Sequence, residues 1–283
     1  MYYTSDETLE KLIKEDIPYV DLTTLILNIG KQKGKISFTS RENAVVCGTE
    51  EAVRVFNKLG VAADNFVPTG MCVEPGQRLL EARGNAEGLH LVWKVSMNIL
   101  EYYSSIATRT KKLVDAVKSI DSKIEVVTTR KGLPGTKELA IKAVIAGGGL
   151  PHRLGLSETV LIFKQHMNFM GGINGLVNKI EEIKFRACEK KVIVESECRE
   201  DAIRLCKAGA DGLQFDKIPP SELKGIVEEI KSINPHVTLI ATGGINESNI
   251  RDYAQTGVNS ISTSWVYFGK PVDICTEIEK TEI

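Results

Sequence analysis

The hydrophobic positions of the chain follow different patterns before and after Ser122. After Ser122, short apolar and β-branched runs alternate with segments whose apolar residues recur at helical spacing. We predict strands at Ile124–Val127, Thr159–Phe163, Val192–Val194, Gly212–Phe215, Val237–Ile240 and Ser260–Ser262, and helices at Arg199–Ala208, Ser221–Ile233 and Glu247–Gln255. Strand–helix units of about 20 to 25 residues are typical of an α/β barrel, and crossover handedness favours a closed or wound parallel sheet.

The first part of the chain mixes short strands with helices, which indicates an α+β domain. We predict a helix at Thr4–Lys14, capped by its first threonine, and an extended or turn segment at Asp16–Thr24 because its proline disfavours a helix. Helical spacing of apolar residues continues through 89–120. We expect Ser104-Ser105 to interrupt that helix, because serine competes for its own backbone.

Length and charge narrow the class of protein. A chain of 283 residues is long enough for one large domain and a smaller one. Its formal net charge of −1 gives no overall attraction to nucleic acid or to an anionic membrane, so any anion site must be local. No apolar run of about 18 residues is present, so we expect no membrane-spanning segment.

The cysteines and the N-terminus indicate the cellular compartment. The polar, acidic N-terminal stretch does not have the pattern of a signal peptide. No C-x-x-C pair is formed by the six cysteines, which are Cys47, Cys72, Cys188, Cys198, Cys206 and Cys275. We therefore expect buried free thiols in a reducing cytoplasm.

Four basic residues flank one predicted helix. Arg130 and Lys131 follow the strand at Ile124–Val127, and His152 and Arg153 follow three glycines that end the next helix. Side chains just outside regular elements are well placed to meet a ligand. Because arginine can hold carboxylate or phosphate with two parallel hydrogen bonds, the group predicts a substrate with several anionic groups.

Polar residues also follow the other predicted strands of the barrel. In chain order they are Lys164, Glu195, Asp216, Thr242-Gly243-Gly244 and Thr263-Ser264. In α/β barrels this rim holds the active site, and the loops after the last strands commonly bind a phosphate. We predict a phosphate site at 242–244 and 263–264, because glycine N–H groups can approach phosphate oxygens closely. As a pair, Glu195 and Asp216 are predicted to bind magnesium or ribose hydroxyl groups.

Several of these segments together resemble the quinolinate phosphoribosyltransferase family, also called nicotinate-nucleotide pyrophosphorylase (carboxylating). The resemblance covers nearly the whole chain and includes DLTT (21–24), SSIATRT (104–110), TRKGLPG (129–135), GGGLPHRLGL (147–156), VES (194–196), AGADGLQFD (208–216), ATGGI (241–245) and TGV (256–258). The pairing of TRK-x-x-PG with GGG-x-x-HR at the matching separation is its most specific part.

The resemblance implies an α/β fold with two domains. These are an N-terminal α+β sandwich at 1–110 and a seven-stranded α/β barrel of the type II phosphoribosyltransferase kind at 111–270. The tail at 271–283 is expected to pack back on the first domain. Members of the family are dimers or hexamers in which the neighbour's small domain covers each active site.

The implied reaction joins quinolinate to phosphoribosyl pyrophosphate, releases pyrophosphate, and loses carbon dioxide. By resemblance, the catalytic residues are Lys131, Glu195 and Asp216, and the substrate-binding residues are Lys94, Arg130, His152, Arg153 and Lys164. Phosphate is assigned to Thr242, Gly243, Gly244, Thr263 and Ser264. Magnesium is assigned to Glu195 and Asp216, directly or through the substrate or water.

Departures from the family pattern are concentrated in the part of the site that would bind quinolinate. Lys94 stands where the family usually has an arginine, contributed by the neighbouring subunit, and a lysine lacks its planar fork. The family lysine of the second strand aligns with Phe163, so Lys164 is displaced by one position; Lys217 replaces a usual asparagine. These features are similar to the ModD-type branch, and they favour phosphoribosyl transfer to quinolinate or a related acidic heterocycle.

Two other functions are compatible with parts of the pattern. A non-enzymatic anion-binding protein of molybdate utilisation would need the basic cluster but not Glu195 and Asp216. An aldolase-type barrel could use Lys131 or Lys164 as a Schiff base. The two arginines and the histidine on the same rim argue against it, since such a lysine favours a less polar pocket.

Overall fold

The computed structural model describes residues 3–281 and divides them into two compact units. The first unit comprises the described residues up to Lys111, Leu133–Gly148, and the described residues from Val266 onward; the second comprises Lys112–Gly132 and Gly149–Trp265. The predicted domain boundaries stay a prediction, and these units differ from them at residue 111, at 133–148 and at 266–270. The segment 133–148 lies in the first unit, where buried Lys142 donates to Glu50 (2.8 Å) and Glu51 (2.6 Å).

Helices and strands alternate along much of the described chain. The helices are α1 (Asp6–Asp16), α2 (Leu22–Leu27), α3 (Thr49–Lys58), α4 (Ala86–Lys118), α5 (Lys137–Ala146), α6 (Lys164–Met167), α7 (Gly172–Val177), α8 (Ile180–Arg186), α9 (Arg199–Lys207), α10 (Pro220–Ile233) and α11 (Ile250–Ala254). The strands are β1 (Lys33–Ser40), β2 (Ala44–Val45), β3 (Ala62–Phe66), β4 (Cys72–Val73), β5 (Arg78–Asn85), β6 (Glu125–Thr128), β7 (Leu150–Pro151), β8 (Val160–Ile162), β9 (Val192–Ser196), β10 (Gly212–Asp216), β11 (Thr238–Thr242), β12 (Ser260–Thr263) and β13 (Ile274–Lys280).

The first unit is built on a four-stranded antiparallel sheet in the order β13-β1-β5-β3. The C-terminal strand β13 pairs with β1 from Gly34 to Ser40. Ile36 and Phe38 of β1 are fully buried, and the Phe38 ring lies 6.2 Å from that of Phe56 on α3. Burial of these aromatic and aliphatic side chains is what holds the helices on the sheet.

The first helix starts one residue later than Thr4 predicts. Ser5 is the N-cap, because its hydroxyl accepts from the Thr8 N–H (3.2 Å). The Thr4 hydroxyl instead donates to buried Glu51 (2.8 Å), so it is not available to cap the helix.

The predicted extended segment at 16–24 is wrong at its end, where α2 begins. Asp21 accepts from the backbone N–H groups of Thr23 and Thr24, which supplies the cap that allows a helix shortly after the proline. The helix leaves Leu25 and Ile26 largely exposed, at 64% and 71%.

The predicted interruption at Ser104-Ser105 is also wrong, because α4 continues through both serines for 33 residues. The Ser104 hydroxyl accepts from the Cys47 N–H (3.0 Å) and donates to the Cys47 carbonyl (3.3 Å). The Ser105 hydroxyl donates to the Tyr102 carbonyl (2.6 Å). Since partners outside the helix satisfy Ser104, its competition with the helix backbone is removed.

The second unit contains a seven-stranded parallel sheet in the order β7-β6-β12-β11-β10-β9-β8. All six predicted strands are present with small shifts at their ends. The seventh, β7, has two residues and pairs with β6, so it is too short for a periodic pattern. Among residues 3–281, no hydrogen-bonded ladder joins β7 to β8. The fold is therefore α/β, with a parallel sheet of the barrel type following an α+β unit.

The cysteines are all free, but the expectation that they are buried holds for only two of them. Cys47 and Cys206 are buried, whereas Cys72 and Cys188 are exposed. Burial raises the pKa of the Cys47 thiol to about 12. Within the described chain, no helix combines the length and hydropathy that a membrane-spanning helix requires.

Candidate active site

The strand register of the second unit places polar side chains on one face of the parallel sheet. Gln214 on β10 pairs with Glu195 on β9, and Asp216, two residues further, pairs with Thr242 on β11. Thr242 in turn pairs with Ser262 on β12. Because side chains alternate between faces along a strand, all five share the same face.

A cavity of about 290 Å³ lies where these strands end. Its lining residues are Thr129, Arg130, Lys131, His152, Arg153, Leu161, Phe163, Glu195, Gln214, Asp216, Thr242 and Ser262. The structure therefore brings together seven of the residues predicted from the sequence, from five different strand ends. The polar residues at those ends share one cavity, as in active sites of α/β barrels.

The two arginines of the cavity form no ion pairs within the described residues. Arg153 is buried, with 8% of its surface exposed, and no carboxylate in the part of the chain that the structure describes forms an ion pair with Arg153 or Arg130. Burial, followed by the charge of Arg130, lowers the pKa of Arg153 against a smaller opposing effect of the Glu158 carboxylate. A bound anion would relieve both the desolvation and the repulsion.

His152 offers an unsatisfied polar atom beside these charges. Its backbone N–H donates to the Thr128 carbonyl (2.9 Å), which places the ring at the end of β6. The buried Nε2 atom has no hydrogen-bond partner. Burial, together with the charge of Arg153, lowers the pKa of His152, so the neutral ring is favoured. An atom of this kind would be satisfied by a bound polar ligand.

Phe163 lines the cavity near Arg153, whereas the neighbouring Lys164, predicted to bind substrate, does not. Leu161 and Phe163 are two residues apart and both line the cavity, and Phe163 packs on the buried cluster that includes Ile193. Lys164 begins α6, is exposed, and does not line the cavity. The alternation of side chains at the strand end accounts for the difference, and the role of Lys164 stays a prediction.

The two acids of the cavity interact with each other. Gln214 Nε2 donates to Glu195 Oε2 (2.8 Å). Burial raises the pKa of Glu195. The hydrogen bond from Gln214 opposes this increase, and the negative charge of Asp216 adds to it. Two repelling carboxylates suit a shared divalent cation. Residues 3–281 contain no cluster of three or more metal-ligating side chains, so a magnesium ion here would take its other ligands from substrate oxygens and water.

The predicted phosphate loop begins directly after β11. Gly243 and Gly244 have φ of +91° and +71°, and neither N–H has a hydrogen-bond partner among the described residues. A Cβ on Gly243 would lie 2.5 Å from Asp216 Oδ1, so only glycine fits there. A Cβ on Gly244 would meet open space. Consecutive glycines with free N–H groups can form an anion-binding loop.

The loop after β12 is less available than predicted. The Thr263 hydroxyl donates to the Ile245 carbonyl (2.6 Å) and accepts from the Trp265 N–H (3.0 Å). The hydroxyl groups of Ser264 and Thr129 share a hydrogen bond of 2.6 Å. Thr263 thus has a clear role in holding the loop, while its phosphate contact and that of Ser264 stay predictions.

Lys94 lies on α4 in the first unit. Its Nζ is 4.3 Å from the centroid of the Trp93 ring and 4.0 Å from Met97 Sδ. It does not line the cavity of the second unit, so its assignment to a neighbouring subunit's site stays a prediction.

Sequence reasoning missed five residues of the cavity, which are Thr129, Leu161, Phe163, Gln214 and Ser262. Gln214 had a usable signal, since it is the one amide in the otherwise apolar centre of its strand and lies two positions from Asp216. Phe163 resembled an ordinary core residue at a strand end, and only the register shows that it faces the cavity.

Comparison with known proteins matches both halves of the chain to one family. The description "Quinolinate phosphoribosyl transferase, C-terminal domain" matches residues 106–276, and the corresponding N-terminal domain matches residues 21–104. A relative from Escherichia coli O157:H7, named "Putative pyrophosphorylase ModD", is 36% identical over 99% of this chain and 98% of its own length. Another, from Methanothermobacter thermautotrophicus, is named "Probable nicotinate-nucleotide pyrophosphorylase [carboxylating]" and is 30% identical over 96% of this chain and 98% of its own.

Solved structures agree with this assignment. The nicotinate-nucleotide pyrophosphorylase from Ehrlichia chaffeensis superposes with a TM-score of 0.89 at 27% identity, covering 99% of this chain and all of that chain. NadC from Streptococcus pyogenes has the same fold, with a TM-score of 0.88 at 24% identity over 98% of this chain and 97% of its own. The chain therefore belongs to the quinolinate phosphoribosyl transferase family and is a phosphoribosyltransferase of that type.

Proposed function

We propose that this protein transfers ribose 5-phosphate from phosphoribosyl pyrophosphate to quinolinate or a related acidic heterocycle and releases pyrophosphate. Carbon dioxide is also released if the acceptor is quinolinate. The observation that carries the proposal is a single cavity that contains two arginines without ion pairs (Arg130 and Arg153), the orphan Nε2 of His152, and the carboxylates of Glu195 and Asp216. An acidic acceptor satisfies the first three, and the ribose hydroxyls or a metal satisfy the acids.

On this proposal Arg130, Arg153 and His152 hold the carboxylate of the acceptor. Arg153 is buried and forms no ion pair, so it is already largely desolvated and binds a carboxylate more strongly than an exposed lysine does. Arg130 is exposed at the same mouth and adds a second guanidinium group. The neutral imidazole of His152 can donate or accept a single hydrogen bond at its buried nitrogen. Names of the relatives support such an acceptor, since the Methanothermobacter protein is named as a nicotinate-nucleotide pyrophosphorylase.

The donor is held by the remaining part of the cavity and by the loops that follow β11 and β12, whose residues Gly243, Gly244 and Ser264 do not themselves line the cavity. Lys131 lies between the acceptor and the pyrophosphate, and Gly243 and Gly244 bind the 5-phosphate through their free N–H groups, with Thr242 and Ser264 beside them. The nucleophile is a ring nitrogen of the acceptor, so no Ser–His or Cys–His arrangement is needed. The protein's contribution is alignment of the two substrates and stabilisation of the charge on the leaving pyrophosphate.

Magnesium fits the donor set of two carboxylates. Glu195 and Asp216 would hold the ion, and when bound it would neutralise negative charge on the pyrophosphate oxygens. The same carboxylates, without a metal between them, would accept hydrogen bonds from the ribose hydroxyl groups.

The protein acts as a homodimer or hexamer on this proposal, with Lys94 contributed to a neighbour's site. Support comes from apolar surface on the first unit, where Tyr19 is 94% exposed and Leu25 and Ile26 of α2 are exposed. Exposed apolar surface of this kind marks an interaction site more often than a solvated face. Six free thiols support a reducing, cytoplasmic compartment.

The test is release of pyrophosphate from phosphoribosyl pyrophosphate and Mg²⁺ with a panel of heterocyclic acids that includes quinolinate. We expect release with at least one acid and its loss in Arg153→Ala, with unchanged folding by circular dichroism. If quinolinate is the natural acceptor, quinolinate with a label in the carboxyl group that is lost should also release labelled carbon dioxide.

The competing function is an accessory anion-binding protein of molybdate utilisation, which the ModD-named relatives bring into consideration. An oxyanion alone would be repelled by Glu195 and Asp216 in the same cavity. Calorimetric binding of molybdate without release of pyrophosphate from any acceptor would replace the transferase proposal with this one.

A further inference from the structure

Lys217 holds a backbone conformation that lysine rarely adopts. Its φ is +59°, and the only other non-glycine residue of 3–281 with positive φ is Asn28. Asparagine tolerates the left-handed region because its short side chain can form a local hydrogen bond to the backbone, whereas the long lysine side chain has no such compensation and is strained there. Strain of this kind persists where the surrounding structure demands it, and it is concentrated at functional sites.

Contacts with the predicted phosphate loop impose this backbone conformation on Lys217. The Lys217 N–H donates to the Thr242 carbonyl (2.9 Å), so the left-handed turn ties the end of β10 to the end of β11. A Cβ placed on Gly243 would lie 2.6 Å from Lys217 Cγ and 2.7 Å from Lys217 N. The stem of Lys217 therefore runs directly against Gly243.

A phosphate bound at this loop would need a nearby positive charge, because a carboxylate lies next to Gly243. Asp216 Oδ1 lies 2.5 Å from the position that a Cβ on Gly243 would occupy, so a carboxylate lies beside the first glycine of the loop, whose N–H, like that of Gly244, is free. A phosphate on those N–H groups would meet the negative charge of Asp216. Lys217 is exposed, and its ammonium forms no ion pair with any residue in the described part of the chain.

We propose that Lys217 is a phosphate-binding residue that places an ammonium group beside the Gly243-Gly244 loop and offsets the charge of Asp216. The ligand is a phosphate monoester dianion, which in the proposed reaction is the 5-phosphate of the donor. The inference rests on the proposed function for the identity of that donor, but not for the presence of a phosphate site.

The turn alone does not account for a lysine. Glycine adopts this conformation without strain, and asparagine adopts it with little. Either would leave the N–H of residue 217 free to donate to Thr242. Lysine differs from both in carrying a positive charge on a flexible side chain. At residue 217 that side chain starts directly beside Gly243 of the loop.

The test uses Lys217→Asn and Lys217→Gly in the full chain, with binding of phosphoribosyl pyrophosphate and inorganic phosphate measured by calorimetry. Both variants remove the charge and relieve the strain, so we expect an unchanged or higher unfolding temperature with affinity for both ligands reduced by about tenfold or more. In turnover, KM for the donor should rise while KM for the acceptor changes little. Lys217→Arg should retain most of the affinity.

The matched control is Lys190→Asn, which removes another exposed lysine from a non-helical turn of the same unit and should leave all constants unchanged. Wild-type affinity for phosphate and donor in both Lys217 variants would overturn the inference, as would a loss confined to the acceptor. Because binding is measured directly, a protein that binds the donor but fails with every acceptor refutes the proposed function and still tests Lys217.

Discussion

The guanidinium carbon of Arg153 lies 6.0 Å from the centroid of the Phe163 ring. The ring faces an arginine that has no carboxylate partner in the described chain, and the His166 ring stacks on it at 5.8 Å. A cation near an aromatic face gains a weak attraction and keeps its hydrogen-bond donors free for a ligand. This arrangement leads to the first prediction.

Replacing Arg153 with Ala should lower turnover by about 10³-fold, because it removes a desolvated, bidentate anion contact. Phe163→Ala should have a smaller effect, with KM for the acceptor raised about fivefold through loss of the aromatic contact. Steady-state kinetics with varied acceptor measures both. Equal effects of the two changes, or none, would contradict the assignment of Arg153 to the acceptor.

The raised pKa of Glu195 predicts how activity depends on magnesium and pH. Burial and the charge of Asp216 keep this carboxyl protonated to higher pH than an exposed glutamate. Since a metal needs the ionised form, the Mg²⁺ concentration for half-maximal rate should rise as pH falls from neutral towards 5. Glu195→Gln should weaken Mg²⁺ dependence and remove that pH effect. A Mg²⁺ requirement that is independent of pH in the wild type would argue against metal binding by Glu195.

Acid should destabilise the first unit through Glu50. Although burial by itself raises the pKa of Glu50, hydrogen bonds from Lys142 and Thr69 lower it to about 2. A depressed carboxyl pKa stabilises the fold above the unfolded value of 4.5, and this contribution is lost as pH falls from about 5 towards 2. Glu50→Gln should therefore be less stable at pH 7 and should lose less stability on acidification. Denaturation at pH 7 and pH 3 measures the free energy of unfolding of both proteins. An equal loss between the two pH values in wild type and variant would exclude this role of Glu50.

Removing the buried cation of the same cluster should cost more. Lys142→Met leaves the carboxylate of Glu51, which is 2% exposed, without its cation, and a broken buried pair costs about 3–5 kcal/mol. Pairing it with Glu51→Met should recover part of the loss, since the more deeply buried carboxylate is then removed together with its cation. Urea denaturation measures both, and a double variant no more stable than the single one would show that the charge is not the cause.

The two glycines of the phosphate loop should differ in their tolerance of a side chain. Gly243→Ala adds a steric clash with Asp216 and Lys217 to a conformational cost of about 1–2 kcal/mol, whereas Gly244→Ala carries the conformational cost alone. We expect Gly243→Ala to lose donor binding and stability, and Gly244→Ala to retain more of both. Thermal unfolding and donor titration distinguish them, and indistinguishable variants would mean that the loop rearranges.

An exposed residue of α2 tests the oligomer. Ile26→Asp places a charge in the apolar surface of α2 and should shift the protein towards monomer, because burying an unpaired carboxylate is costly. Light scattering over a range of concentrations measures the mass, and Lys14→Asp on the neighbouring helix serves as a control for charge alone. A wild-type protein that is monomeric at every concentration would reject the proposed interface.

Local features of the structure were predictable where a single segment contains the whole cause. The strands of the second unit appear as short apolar runs because each is buried in a parallel sheet, and their polar ends mark the rim. Helix ends were less predictable. The N-cap moved from Thr4 to Ser5 because Glu51, far along the chain, takes the Thr4 hydroxyl. Likewise, Ser104 stays within α4 because Cys47 satisfies it.

By itself, the sequence determined the order of the elements, the charged residues at the strand ends, and the glycines of the phosphate loop. Each depends on periodicity or residue type within a few neighbouring positions. Only the tertiary structure decided that Phe163 rather than Lys164 lines the cavity, that Gln214 bonds Glu195, and that Lys217 lies against Gly243. These relationships depend on register and turn conformation between distant strands, because one residue of shift reverses the face on which a side chain lies.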